Sequence, residues 1–145
     1  MNTRSLCAAL AGAVALAAGT GTALAHHSFS QEFDSTRPMT LQGKVVKFEW
    51  VNPHAWIHVD VTNPRSDAHQ TWQVEGGAPS SLLRRGWNRN SLPAGTTISV
   101  SGFASRDGDT RASASEITFP DGRQLSLGNP ATEAVQAAAR RANGR

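Results

Sequence analysis

Two adjacent imidazoles, His26 and His27, directly follow Ala23-Leu24-Ala25. Small residues at 23 and 25 occupy the −3 and −1 positions of a cut after Ala25, the pattern of a secretory signal. Arg4 supplies a positive start, and the stretch from Leu6 to Ala18 is almost wholly apolar. It is shorter than the roughly 20 residues that a spanning helix needs. Residues 1–25 therefore read as a cleaved signal peptide, and the mature protein as periplasmic. Cleavage would give His26 a free amine. That amine, its own ring and the ring of His27 form a compact nitrogen-donor group, and such donors favour Cu(II) over the other first-row divalent ions. The alternative is that both residues are simply solvated at a chain end.

A third imidazole would close such a site. His54 follows Asn52-Pro53 at the entrance to a strand, where a loop can present it; the plainer alternative is a hydrogen bond to backbone in the turn. His58 cannot share an ion with His54. Four residues along a strand span about 13 Å, whereas two rings on one metal each bond at about 2 Å. His58 is the lesser candidate, with Asp60 two residues on as its expected partner, and His69 reads as exposed. Glu32 and Asp34 lie close behind the terminus and are placed to accept hydrogen bonds from ligating imidazoles, or else to face solvent.

The elements that must hold these residues are strands. The arm 26–40 shows no clear periodicity, and Arg37-Pro38 disfavours helix at Arg37; Phe29 and Phe33 would pin it to the domain. From Leu41 to Trp50 the pattern alternates, with Val46, Phe48 and Trp50 expected on one face. A second strand carries Ala55, Ile57, Val59 and Val61 on one face. A third runs from Thr71 to Glu75, with Trp72 and Val74 on one side. Gly76-Gly77-Ala78-Pro79 ends it, and Ser80 or Ser81 is expected to cap a short helix bearing Leu82 and Leu83, closed near Gly86. Strands follow over Thr97–Ala104, Arg111–Phe119 and Gln124–Leu127, and the tail from Gly128 reads as a weak helix over Ala131–Arg141 or as disordered.

Three strands, a short helix, then two strands and a hairpin extension is the order of an OB-fold. The expected class is all-β: an OB-like Greek-key barrel of five to six strands over 41–127, with one short helix between strands three and four. A small β-sandwich is the competitor.

Composition narrows the function. Removing the signal leaves about 120 residues, the size of one domain with its own core. The one cysteine, Cys7, lies within the signal, so the mature chain has no thiolate chemistry and no disulfide. The formal charge of +3 drops by one with Arg4, and Arg140, Arg141 and Arg145 in the tail supply much of the rest. That is no dense basic stripe, so no nucleic-acid partner is expected. No nucleophile elbow, HExxH, P-loop or dinucleotide fingerprint occurs. The protein therefore reads as no enzyme; copper-dependent oxidation at a histidine brace would need an open metal position facing a groove.

Two further groups could bind. Arg84 and Arg85 in LLRRGW could pair with an anion, although a packing role for Leu82, Leu83 and Trp87 with both arginines in water explains the motif as well. Trp50, Trp56 and Arg84 could form a face for a periplasmic protein, a glycan or a small ligand.

HHSF at 26–29, EFD at 32–34, the run from Gly43 to Trp56 ending in NPHAW, LLRRGW at 82–87 and RASASEITFPDGR at 111–123 together resemble a bacterial family of small exported proteins known only as a domain of unknown function. The resemblance covers nearly all of the mature chain. It implies a small exported β domain and supplies no activity.

Overall fold

The computed structural model describes residues 29–63 and 65–143. The expected signal peptide and the candidate ligands His26 and His27 lie outside the described residues. Six strands form one sheet: β1 (Phe33–Glu49), β2 (Trp56–Thr62), β3 (His69–Glu75), β4 (Thr97–Ser105), β5 (Arg111–Thr118) and β6 (Gln124–Ser126). Helix α1 (Pro79–Leu83) stands between β3 and β4, and α2 (Pro130–Asn143) follows β6. The order across the sheet is β3-β2-β1-β4-β5-β6. Neighbours in that order are antiparallel. In addition β3 pairs in parallel with β5, Gln73–Glu75 against Arg111–Ser113. Among the described residues no helix is long and apolar enough to cross a membrane.

Alternation sends one side of each strand into a shared core. Ile57, Val59, Val74, Ile98, Val100 and Ile117 are all 0–1 % exposed, each contributing about 1.5–3 kcal/mol of burial. Leu82 from α1 and Trp87 just after it close one side of this core, and the Trp87 indole donates to the Ser126 carbonyl at 3.0 Å.

Four expectations change. First, β1 begins at Phe33, inside the segment read as an arm. Residues 29–32 are helical, and Phe33 then pairs with Ser105 before regular pairing with β4 resumes at Pro38. That irregular stretch hides the strand's period. Phe29 and Phe33 do pin the segment, in a second cluster with Phe103 and Ala131. Second, Val46 faces outward at 51 % exposure while Val45 is buried. A bulge between Val45 and Lys47 inserts a residue, and one extra residue flips the facing of those that follow.

Third, neither Ser80 nor Ser81 caps α1. Ala78 is the N-cap, with no side-chain bond, and proline opens the helix, because its fixed φ suits the first helical position. Leu83 is 58 % exposed, so Leu82, with Pro79, supplies the buried apolar side of the helix. Fourth, the tail helix α2 is longer than its sequence pattern implies. The Asn129 carboxamide oxygen accepts from the backbone of Ala131 and Thr132 at 3.2 and 3.4 Å, the Thr132 and Ser113 hydroxyls meet at 2.5 Å, and Glu133 pairs with Arg85 at 3.0 Å.

Candidate functional site

The site grows from a glycine-dependent seam. The Ala55 N–H donates to Gly77 O at 3.0 Å, the Gly76 N–H to Ala55 O at 2.9 Å, and the Gly77 N–H to Leu127 O at 2.7 Å. A Cβ on Gly77 would lie 2.3 Å from the Gly128 carbonyl oxygen, so only glycine allows this approach. The seam brings the residue before Ala55 against the residue before Gly76, and His54 meets Glu75. His54 Nδ1 lies 2.9 Å from Glu75 Oε1 and 3.2 Å from the Gly76 carbonyl oxygen. A carbonyl only accepts, so Nδ1 is the donor, and in the neutral ring Nε2 is the nitrogen with the lone pair.

Glu75 is the buried acid of the fold, its side chain 10 % exposed. Burial pushes its carboxyl above the ordinary glutamate range, and the Glu32 carboxylate pushes the same way, against the pull of His54 and Arg111. Glu32 itself is ion-paired with Arg111, whose guanidinium also lies over the Trp56 ring, 5.8 Å from its centroid. Glu32, His54 and Glu75 share a cavity of about 150 Å³ with Phe29, Phe33, Ser113, Asn129, Pro130 and Ala131. Its back wall is the buried polar set in which the Asn129 amide donates to Ser113 Oγ at 3.1 Å.

Of the residues singled out in the sequence, the structure therefore unites His54 with Glu32. Asp34 turns onto its own chain, accepting from the Thr36 backbone at 3.0 Å and hydroxyl at 2.7 Å. These bonds hold its carboxyl below the usual range. His58 does not pair with Asp60. Its Nε2 stands 3.4 Å from Glu49 Oε2 without hydrogen-bond geometry, while Asp60 Oδ2 takes His69 Nδ1 at 2.8 Å. Both histidines thus face acids on neighbouring strands. Among the described residues no group of three or more His, Cys, Asp or Glu side chains is placed to hold a metal ion.

Trp50 packs edge-on against Phe48, with centroids 5.6 Å apart, on the core side, whereas Trp56 lies under Arg111. The two rings thus take different partners. Arg84 is exposed, and Arg85 is engaged by Glu133 and by Ser126 Oγ at 2.7 Å.

Sequence reasoning passed over Glu75, Arg111, Ser113 and Asn129. Glu75 carried a signal: an acid at the end of an apolar strand, directly before two glycines. Ser113 and Asn129 carried none, since their meeting depends on where α2 docks.

Residues 13–114 match a family of unknown function (DUF6152). The chain belongs to this family. No curated protein and no solved structure matches the chain. The DUF6152 match takes in β1 through β4 and ends within β5 at Ala114. The cavity wall formed by Asn129, Pro130 and Ala131 lies beyond it.

Proposed function

We propose that this is an exported, periplasmic metal-binding domain, with copper the favoured ion, whose site joins His54 to the N-terminal histidines of the processed chain. One observation carries the reading: His54 shares its cavity with Phe29 and Glu32, residues that almost immediately follow His26-His27. Two residues of chain span at most about 7 Å and three about 11 Å, and that tether from Phe29 is short enough for the processed terminus to serve the same cavity. His26 would give its amine and ring, His27 a second ring and His54 Nε2 a third. Glu32, in the same cavity as His54, would accept a hydrogen bond from a ligating ring. A carrier, buffer or accessory role follows, with no chemistry on an organic substrate.

The scaffold we infer is an OB-like Greek-key barrel. The parallel pairing of β3 with β5 returns the strand order β3-β2-β1-β4-β5 to its start, and α1 lies between β3 and β4, both as in an OB-fold.

Intact mass of the exported protein, followed by Cu(II) titration with electron paramagnetic resonance, tests the reading. The expected result is a His26 terminus, one tight site and a nitrogen-rich spectrum that changes in His54→Ala. A different terminus, or only weak binding spread over the surface, would overturn it. The second reading is a metal-free binding module. The apolar part of the cavity wall, from Phe29, Phe33, Pro130 and Ala131, favours it, and the ligand would then be small.

A further inference from the structure

We infer that Glu75 is the positioning residue of the site: its buried carboxylate, together with the Gly76 carbonyl, holds the His54 ring with Nδ1 protonated and Nε2 turned into service as a donor. The inference rests on the metal-binding reading for its purpose, though not for its geometry.

The backbone at Glu75 is held from both sides. It pairs with Trp56 of β2 on one side and with Ser113 of β5 on the other. A carboxylate on such a frame moves little. The ring opposite has less to hold it, because the His54 side chain is 42 % exposed and precedes β2 in an irregular segment. His54 Nδ1 hydrogen-bonds the Gly76 carbonyl at 3.2 Å, and Glu75 Oε1 stands 2.9 Å from the same nitrogen as its ion-pair partner, so two oxygens favour a proton at Nδ1.

Two consequences follow for a bound cation. In the neutral ring the proton sits on Nδ1, so Nε2 is the nitrogen that offers a lone pair to the cation. A carboxylate behind the ring also raises the basicity of the ligating nitrogen, the outer-shell pattern common around metal-bound histidines. The position of Glu75 is costly, since a buried acid is disfavoured unless paired. Arg111 helps meet that cost, bonded to Glu32 beside it and lowering the energy of the Glu75 charge. A leucine would fill the same volume at no electrostatic cost, and it could not orient an imidazole.

The test has a metal-free arm and a metal arm. In the metal-free protein, long-range ¹H–¹⁵N correlation of the ring nitrogens reports the His54 tautomer directly. Wild type is expected to show protonated Nδ1 and bare Nε2. Glu75→Gln keeps an acceptor oxygen and should keep that tautomer, whereas Glu75→Ala leaves the Gly76 carbonyl as the remaining acceptor and should raise the share of the Nε2–H tautomer. In the metal arm, Cu(II) affinity is expected to fall about 10- to 100-fold in Glu75→Ala, the usual cost of removing such a partner, and less in Glu75→Gln. An unchanged tautomer in Glu75→Ala, or, where wild type binds copper, an affinity and spectrum in Glu75→Ala equal to those of wild type, would overturn the positioning role. If wild type binds no copper, the proposed function falls while the tautomer measurement still decides the role of Glu75.

Discussion

Replacing Gly77 by alanine tests the seam on which the site stands. The new Cβ would lie 2.3 Å from the Gly128 carbonyl oxygen and 2.9 Å from that of Leu127. Both obstacles are backbone, so one strand of chain must move by nearly an ångström. Two bonds sit at the contact, Gly77 N–H to Leu127 O at 2.7 Å and Ala55 N–H to Gly77 O at 3.0 Å, and such a shift stretches them beyond useful length. Leaving a buried backbone group unpaired costs about 1–3 kcal/mol. Alanine returns about 0.4–1 kcal/mol by stiffening the unfolded chain. With both bonds lost the expected net loss is about 1–5 kcal/mol, or on the order of 4–20 °C in Tm for a domain of this size.

Gly86→Ala is the control. Gly86 has φ +85° with nothing within 4 Å of its would-be Cβ, so only the left-handed backbone is penalised, at about 1–2 kcal/mol. Urea denaturation followed by circular dichroism reads both variants, with the slope of the transition unchanged. If Gly77→Ala unfolds at or above the midpoint of Gly86→Ala, the seam does not position His54 as argued.

Ile57, fully buried near the start of β2, should lose about 2–5 kcal/mol on truncation to alanine, read as a lower urea midpoint. Ser113→Ala removes the hydroxyl shared by Thr132 and Asn129; a loss of about 1–3 kcal/mol is expected, with α2 amides exchanging hydrogen faster than wild type. Glu75 gives a pH signature. Its carboxyl is raised in the folded state, so its contribution to stability is fully present below the ordinary glutamate value and is lost as pH rises through the raised folded value. Urea midpoints measured from pH 4 to 8 should therefore decline more steeply in wild type than in Glu75→Gln. Glu49 runs the other way: Lys47, then His58, holds its carboxyl low, and its contribution is lost as pH falls. One extra residue before His26 should weaken Cu(II) binding, measured by titration, because it moves the terminal amine away from the rings.

Local chemistry made much of the fold legible. The alternation of Ile57 with Val59 and of Ile98 with Val100 marked buried faces, because a strand's period of two is a property of the chain itself. Proline and glycine at Asn52-Pro53, Gly76-Gly77 and Pro93-Ala94-Gly95 marked the breaks for the same reason: their backbone limits are intrinsic. The bulge after Val45 was not legible, since an extra residue becomes visible only against a partner strand. Nor was the start of β1 at Phe33, where irregular pairing with β4 erases the alternation.

The site divides in the same way. The sequence by itself determined that His54 stands at a strand entrance and that Glu32 follows the two histidines closely, because both facts are adjacency along the chain. Only the tertiary structure decided that Glu75 backs His54, that Arg111 neutralises Glu32, and that Asp34 and His58 turn to other partners. His54 with Glu75 and Glu32 with Arg111 are far apart in sequence, and the first pair meets because the backbone packs too closely at Gly77 for any side chain to intervene.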